Sequence, residues 1–168
     1  PTEYSNDEIK EEWRQVTRPV RKAPELPIQK NEIARWPLKV KHGDDWLPVM
    51  WVVRIIKGDS KTDYPYTLFS NAKNYEWRCK ALHGVKYPLY NSRSHIEKPN
   101  ARVLLVEGQK VAGIIKDILT EWAVVGWYGG AKSIGLSDLS GLIGREVYFA
   151  FEADTPGRQA IEKIKKLL

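Results

Sequence analysis

One stretch of the chain, ARVLLVEGQKVAGIIKDILTEWAVVGW (101–127), decides the fold. Its first part, 101–107, is a nearly continuous apolar run, which is typical of a strand buried on both faces of a parallel sheet. WAVVGW (122–127) predicts a second strand. The segment between them, 109–121, predicts a helix, because its apolar residues recur at helical spacing. We expect these residues to face the core: Val111, Ile114, Ile115, Ile118 and Leu119.

The same alternation continues to the last residue. SDLSGLIG (137–144) predicts a short helix or turn, REVYFAFE (145–152) a third strand, and 155–168 a helix. We expect the apolar side of this last helix to point inward: Ile161, Ile164, Leu167 and Leu168. Strands that alternate with helices predict right-handed crossovers and a parallel sheet. Any later strand of that sheet is expected to lie outside the given sequence.

The middle of the chain predicts an antiparallel sheet. WLPVMWVVRII (46–56) is rich in β-branched and aromatic residues and predicts a strand. KGDSKTD (57–63) predicts a turn, and YPYTLFS (64–70) predicts the returning strand. YEWRCKAL (75–82) is another strand candidate, and VKYPLY (85–90) follows it after a turn at His83-Gly84.

The first residues have a different pattern. SNDEIKEEWRQVT (5–17) predicts a short helix with a capping residue and acidic residues at its start. The three prolines of RPVRKAPELPIQK (18–30) exclude a regular helix and predict an extended linker. We therefore divide the chain into a helix and linker (1–35), a basic β-rich lobe (36–100) and a parallel α/β unit (101–168).

Composition narrows the class of protein. The net charge is +6, and residues 1–100 carry 18 Lys and Arg against 13 Asp and Glu, whereas residues 101–168 carry 9 against 8. A positive first part attracts polyanions, although many basic proteins bind no nucleic acid. The absence of a long apolar run predicts no membrane span. The acidic N-terminus is unlike a signal peptide, and the single Cys79 fits an intracellular location.

Acidic residues follow two of the predicted parallel strands. Glu107 ends the first strand, and Glu152 and Asp154 end the third. Ligands bind at the carboxyl ends of the strands in open parallel sheets. If the two strands are neighbours, the three carboxylates meet there, and a divalent cation would offset their repulsion. The pattern therefore predicts a site for Mg²⁺ or Mn²⁺ that serves phosphoryl chemistry.

Other residues near these strand ends have more than one interpretation. Asp154 before Thr155-Pro156 is well placed to be a helix N-cap, and we favour this as its main role. Gly108 permits a sharp turn, and Gly157 lies in the first turn of the last helix. Gly129-Gly130 form either a plain turn or a close approach to a ligand, with Lys132 positioned to contact a phosphate.

These motifs resemble the topoisomerase–primase (TOPRIM) family. The family's first motif is a strand ending in Glu-Gly, as in VEGQK (106–110), and its second is a strand ending in Asp-x-Asp. FEADTPG (151–157) is similar to the second motif, with Glu152 at the first Asp position. The GGAKS loop (129–133) and the basic, Trp-containing segment ending in PLY (75–90) resemble TOPRIM segments of phage and plasmid primases or primase–helicases.

The resemblance implies a fold and a set of site residues. The fold is α/β, with a Rossmann-like parallel TOPRIM sheet preceded by a small antiparallel β-rich basic lobe. Glu107 takes the role of the catalytic and metal-organising acid, and Glu152 and Asp154 that of Mg²⁺ or Mn²⁺ ligands. The basic lobe of such primases grips single-stranded template and nucleotides, and the candidates here are Arg54, Lys61, Arg78, Lys80 and Arg93.

Arg78 and Lys80, two residues apart on a predicted strand, would share one face, and Trp77 and Tyr75 nearby would suit base stacking.

The leading hypothesis is the core of a phage- or plasmid-encoded DNA primase, acting in the bacterial cytoplasm. Its expected partners are single-stranded DNA, nucleoside triphosphates and a helicase domain or protein, with no membrane.

Two alternatives stay open. One is a TOPRIM nuclease, which hydrolyses the same bond with water. The other is a DNA-binding module of a larger replication protein, in which Glu152 has weakened the metal site.

Overall fold

The computed structural model describes residues 12–71 and 73–168, and it contains two sheets. Five strands from the first part of the chain form an antiparallel sheet: β1 (Arg14–Val16), β2 (Glu32–His42), β3 (Asp45–Lys57), β4 (Ser60–Ser70) and β5 (Tyr75–Arg78). β4 pairs with β1, β3 and β5, and β2 pairs with β3. The antiparallel sheet that the sequence predicts for the middle of the chain is therefore present.

Two long hairpins build most of the antiparallel sheet. β2 and β3 are joined by Gly43-Asp44, and β3 and β4 by Gly58-Asp59. The first residue of each turn has a positive φ, which glycine adopts without steric cost. The β3–β4 hairpin is important for the site, because it extends toward the second sheet.

Both faces of the antiparallel sheet are covered. Val52 and Val53 are adjacent in β3 and point to opposite faces, and both are fully buried. On one face, Val53 packs with Leu26 of the Pro-rich segment, and Trp77 donates its indole N–H to the carbonyl oxygen of Pro24 at 2.7 Å. On the other face, Val52 packs with Tyr87 and Tyr128. The predicted linker is irregular in structure, as expected, but it covers the sheet.

The second sheet is parallel, with the strand order β7-β6-β8. Its elements are β6 (Val103–Glu107), α2 (Gln109–Ile115), β7 (Ala123–Trp127), β8 (Val147–Ala150) and α3 (Thr155–Lys165), preceded by α1 (Ser92–Glu97). Short 3-10 helices at Ala131–Leu136 and Ser140–Leu142 lie between β7 and β8. Strand, helix and strand alternate as the sequence predicts.

The central strand β6 has a core on each side. Val103 and Leu105 pack with Ile161 and Ile164 of α3, whereas Val106 packs with Ala112 of α2. Alternate residues of a strand point to opposite faces, so α2 and α3 lie on opposite faces of the sheet. This two-sided burial explains the continuous apolar run of β6.

The two sheets contact each other through the segment before β6. Tyr90 and Gly126 exchange backbone hydrogen bonds. Asn91 donates its side-chain amide to the carbonyl oxygen of Val124 at 2.8 Å, and Ser92 donates its hydroxyl to the carbonyl oxygen of Lys39 at 2.7 Å. These contacts hold the antiparallel sheet against β7.

Several predicted elements differ from the structure. The helix predicted over 5–17 is wrong where the structure describes it, because 14–16 form β1 against β4; the part before Glu12 lies outside the described residues. The turn predicted over 57–63 is only two residues long, and β4 begins at Ser60. Residues 85–90 form isolated bridges rather than a strand. β2 and α1 were not predicted.

The helix predicted over 109–121 ends at Ile115. The prediction of its inward-facing residues is also partly wrong, because Val111, Ile114 and Ile118 are exposed, Ile118 to 70%. Ala112 is the residue that packs on the sheet, since β7 offers Gly126 beneath it. This narrow contact leaves the wider apolar face of α2 in solvent. In α3, Ile161 and Ile164 are buried as predicted. The helix ends at Lys165, and beyond it Leu168 is partly buried against the core whereas Leu167 is exposed.

Candidate active site at the carboxyl edge of the parallel sheet

The three predicted metal ligands lie at one edge of the parallel sheet. β6 and β8 are hydrogen-bonded neighbours that run in the same direction, so their carboxyl ends meet. Glu107 is the last residue of β6, and Glu152 and Asp154 lie in the short segment between β8 and α3. The strand order thus brings the three carboxylates to the same edge of the molecule.

Glu107 is the most enclosed of the three acids, since Glu152 and Asp154 are exposed. Burial raises the pKa of Glu107, and the negative charges of Glu152 and Asp154 raise that pKa further. A hydrogen bond from the backbone N–H of Ala131 opposes this effect. The ionised form of Glu107 is therefore held in an unfavourable field, which a cation at this edge would reverse.

Asp154 begins α3. Its Oδ1 accepts a hydrogen bond from the backbone N–H of Gly157 at 2.8 Å, and Pro156 lies in the first turn. The predicted N-cap is confirmed. Capping engages one carboxylate oxygen, and within the part of the chain that the structure describes Oδ2 accepts no hydrogen bond. Gly157 packs against the carbonyl oxygen of Glu152 so closely that a Cβ there would collide with it.

The three acids do not form a preformed metal-coordination site. Within residues 12–71 and 73–168, no three side chains among His, Cys, Asp and Glu cluster closely enough to hold an ion. The chemistry of the donor set nevertheless fits a hard divalent cation, because Mg²⁺ prefers oxygen ligands and keeps several waters. The groups that would hold it are Glu107, Glu152 and the uncapped oxygen of Asp154.

A cleft of about 450 Å³ opens between the β3–β4 hairpin and this edge. Lys61 and Thr62 line it from the hairpin, Glu107 and Lys110 from the sheet edge, and Tyr128 from the loop after β7. Lys61 and Lys110 are exposed and form no ion pair with any residue that the structure describes. The cleft therefore combines a half-buried carboxylate with two available cations.

Glycine backbone forms part of the cleft wall. Gly108, Gly129 and Gly130 line it, and each has a positive φ, of 86°, 94° and 73° respectively. A Cβ on Gly130 would lie 3.6 Å from Oε1 of Glu107. Glycine at these positions keeps the wall thin, so that a ligand can approach the backbone and Glu107.

A polar network crosses the cleft. Arg54 binds both oxygens of Asp63, with Nε 2.6 Å from Oδ1 and Nη2 2.8 Å from Oδ2. Gln109 donates its side-chain amide to Oδ2 of the same Asp63 at 2.9 Å. Arg54 also stacks on Trp36, with Cζ 5.2 Å from the ring centroid. The hydrogen bond to Asp63 raises the pKa of Arg54, and burial raises the pKa of Tyr128 to about 12.

Two of the predicted nucleic-acid-binding residues, Arg54 and Lys61, line the cleft. They differ in availability, because Arg54 is engaged by Asp63 whereas Lys61 is exposed. Lys132 is exposed on the 3-10 helix after Gly129-Gly130 and does not line the cleft.

The other basic candidates lie elsewhere. Arg78 pairs with Glu76 at 3.1 Å and also stacks on Trp13, with Cζ 4.4 Å from the ring centroid. Arg93 pairs with Glu97 at 2.7 Å within α1. Lys80 is exposed. The structure places none of the three in the wall of the cleft.

The base-stacking surface predicted around β5 is not formed as expected. Trp77 is buried and serves the core of the antiparallel sheet. β5 ends at Arg78, so Lys80 does not follow it on the same strand face. Of the two aromatic residues predicted to stack on bases, Tyr75 is the exposed one, at 40%.

The cleft also contains polar residues that the sequence did not assign to the site, among them Asp63, Gln109, Lys110 and Tyr128. Lys110 has a signal in the sequence, since it follows the Glu-Gly pair directly in VEGQK. Asp63 and Tyr128 have none, because only the tertiary fold brings the hairpin to the sheet edge.

Comparisons of the chain with known protein families, with curated proteins and with solved structures find no match. In the described residues, none of the helices is long and apolar enough to span a membrane.

Proposed function

We propose that this chain is the catalytic core of a TOPRIM-type DNA primase, which joins nucleotides on single-stranded DNA with Mg²⁺ or Mn²⁺. The observation that carries the proposal is the position of Glu107, Glu152 and Asp154 at the same edge of the parallel sheet, beside a cleft that holds Lys61 and Lys110. Carboxylates for a divalent cation and cations for phosphates are the two requirements of nucleotidyl transfer.

The reaction follows from these groups. The 3′-hydroxyl oxygen of one nucleotide attacks the α-phosphorus of the next triphosphate, a P–O bond forms, and pyrophosphate leaves. Glu107 accepts the hydroxyl proton, since its raised pKa makes it a stronger base than an exposed glutamate. A divalent cation, when bound, supplies charge for the phosphate oxygens. Lys61 and Lys110 bind the leaving phosphates, because both are exposed in the cleft.

The second candidate function is a DNA-binding module of a larger replication protein. Two observations favour it. Asp154 already serves α3 as its cap, and no three potential ligands cluster within the described residues. A TOPRIM nuclease needs the same acids, but it needs water in place of the 3′-hydroxyl as the nucleophile.

One assay separates the three functions. Single-stranded DNA, labelled nucleoside triphosphates and Mg²⁺ or Mn²⁺ are incubated with the protein and with its Glu107→Gln variant. We expect extension products from the parent protein and a loss of about a hundredfold or more in the variant, the effect of removing a general base. Shortened DNA would support the nuclease, and binding without either product would support the module.

The matched control is Glu121→Gln, which removes the same charge from an exposed position. It should retain full activity. Equal activity of Glu107→Gln and Glu121→Gln would contradict the assignment of Glu107 as the catalytic acid.

A further inference from the structure

Gln109 is one of the few polar side chains buried in the described part of the chain, with 2% of its surface exposed. It is the first residue of α2 and follows the Glu107-Gly108 pair directly. Its amide reaches across to the other sheet, where Nε2 donates to Oδ2 of Asp63 at 2.9 Å. A buried amide with a partner on another sheet indicates a specific contact between the two halves of the cleft.

We infer that Gln109 is a positioning residue that fixes the β3–β4 hairpin over Glu107, and that this role requires an uncharged donor at position 109. The inference deepens the proposed function and rests on it for the identity of the ligand.

The geometry links two pairs of residues. Asp63 lies two residues after Lys61 on β4, so both side chains point to the same face of the strand. Gln109 begins α2 and is joined to Glu107, the last residue of β6, through Gly108, and both line the cleft. The contact between Gln109 and Asp63 therefore sets how far Lys61 stands from Glu107 across the cleft.

The chemistry of Asp63 explains why a donor is needed. Arg54 donates to both of its oxygens, and Gln109 supplies the third hydrogen bond. An ionised carboxylate only accepts hydrogen bonds. A glutamate at position 109, which is 2% exposed, would place a second negative charge against Asp63, so the hairpin would be pushed away.

Removing this contact should not unfold the protein. The sheets also meet through the Tyr90–Gly126 backbone bonds and through the side chains of Asn91 and Ser92. These bonds lie outside the cleft wall formed by the hairpin. The expected defect is a loosened hairpin on an intact fold.

The first test is amide hydrogen exchange over 57–62 in the full chain without substrate. Gln109→Glu and Gln109→Met, which keeps the volume but has no donor, should each raise exchange there about tenfold or more, as expected for losing a hydrogen bond to a charged group. In the double variant Asp63→Asn/Gln109→Glu, the amide donor and the carboxylate change places, so the contact again has one of each. The double variant should return the amide exchange rate over 57–62 to within about threefold of the parent rate.

The second test separates positioning from general stability. In primer synthesis, both Gln109 variants should raise the nucleotide KM about tenfold with little change in kcat, because Lys61 binds phosphate before and during the reaction. A structural role alone would reduce the active fraction and leave KM unchanged. Gln159→Glu, an exposed position on α3, is the control for the added charge.

Parent-like amide exchange over 57–62 in both Gln109 variants would overturn the inference. So would a double variant whose exchange rate is as high as that of its single variants. If Gln109→Glu does not fold, the exchange rate of Gln109→Met alone decides the test. A parent protein that makes no primers would refute the proposed function, while hydrogen exchange would still decide the role of Gln109.

Discussion

Glu107 is a half-buried carboxylate in a field that disfavours its charge. Burial and the neighbouring acids Glu152 and Asp154 raise its pKa, and the Ala131 N–H opposes them. A cation bound at this edge would offset that cost. At the scale of one residue, this electrostatic cost is the strongest physical argument for a cation at the sheet edge.

His95 provides a prediction about pH. It is buried, its Nδ1 has no hydrogen-bond partner in the described structure, and burial and the charge of Arg145 lower its pKa, against the opposing effect of Asp138. The folded state thus binds a proton less readily than the unfolded state. Stability should fall as pH drops through the ordinary His pKa of 6.5.

Denaturant unfolding at about pH 7.5 and about pH 5 measures this effect. Replacing His95 with Leu should flatten the dependence over this range, whereas replacing the exposed His83 with Gln should leave it unchanged. An unaltered slope in the His95→Leu variant would show that other groups control the acid sensitivity.

Single residues of the site differ in how far the sequence predicts them. Glu107 is found from its position at the end of an apolar strand. Asp63 and Gln109 are not, because their contact joins residues 46 positions apart. Arg54 was predicted as a ligand-binding cation, but the structure engages it with Asp63, its cross-strand neighbour within the β3–β4 hairpin.

At the scale of the elements, α3 makes Asp154 both a cap and a candidate ligand. Asp154→Ala should lower the free energy of unfolding by about 1 kcal/mol, the usual cost of losing an N-cap. Asp154→Asn should keep that stability, since asparagine also caps, while weakening Mn²⁺ binding. Chemical unfolding and Mn²⁺ titration of both variants measure the two roles. Equal Mn²⁺ affinity in Asp154→Asn and the parent would exclude Asp154 as a ligand.

The elements of the parallel sheet were predictable because each one has a single strong pattern. β6, β7 and α3 are buried on regular faces, so their periodicity matches their packing. The failures have tertiary causes. β1 forms because β4 offers an edge to 14–16, and β2 contains Pro37 and charged residues that weaken its pattern. α2 packs through Ala112, which no apolar periodicity emphasises.

At the scale of the whole molecule, the antiparallel sheet brings positive charge to the acidic edge. The excess of Lys and Arg lies in residues 1–100, and the β3–β4 hairpin carries part of it to the cleft as Lys61. The fold thus combines the charge of one half of the chain with the carboxylates of the other, which neither half provides alone.

Binding of single-stranded DNA with nucleotide present should therefore depend on salt through the cleft lysines. Lys61→Gln and Lys110→Gln should each reduce the slope of log affinity against log salt concentration by about 0.7, the value for one phosphate contact on a single strand. Lys30→Gln, an exposed position outside the cleft wall, is the control. Slopes equal to that of Lys30→Gln would mean that phosphates do not enter the cleft.

The most direct test of the central claim is a Mn²⁺ titration of the full chain, followed by electron paramagnetic resonance or calorimetry. We expect one site in the parent protein, a loss of affinity of at least about tenfold in Glu107→Gln and Glu152→Gln, and parent-like binding in Glu121→Gln. Absence of Mn²⁺ binding, or binding that Glu107→Gln leaves unchanged, would contradict a metal site at this sheet edge.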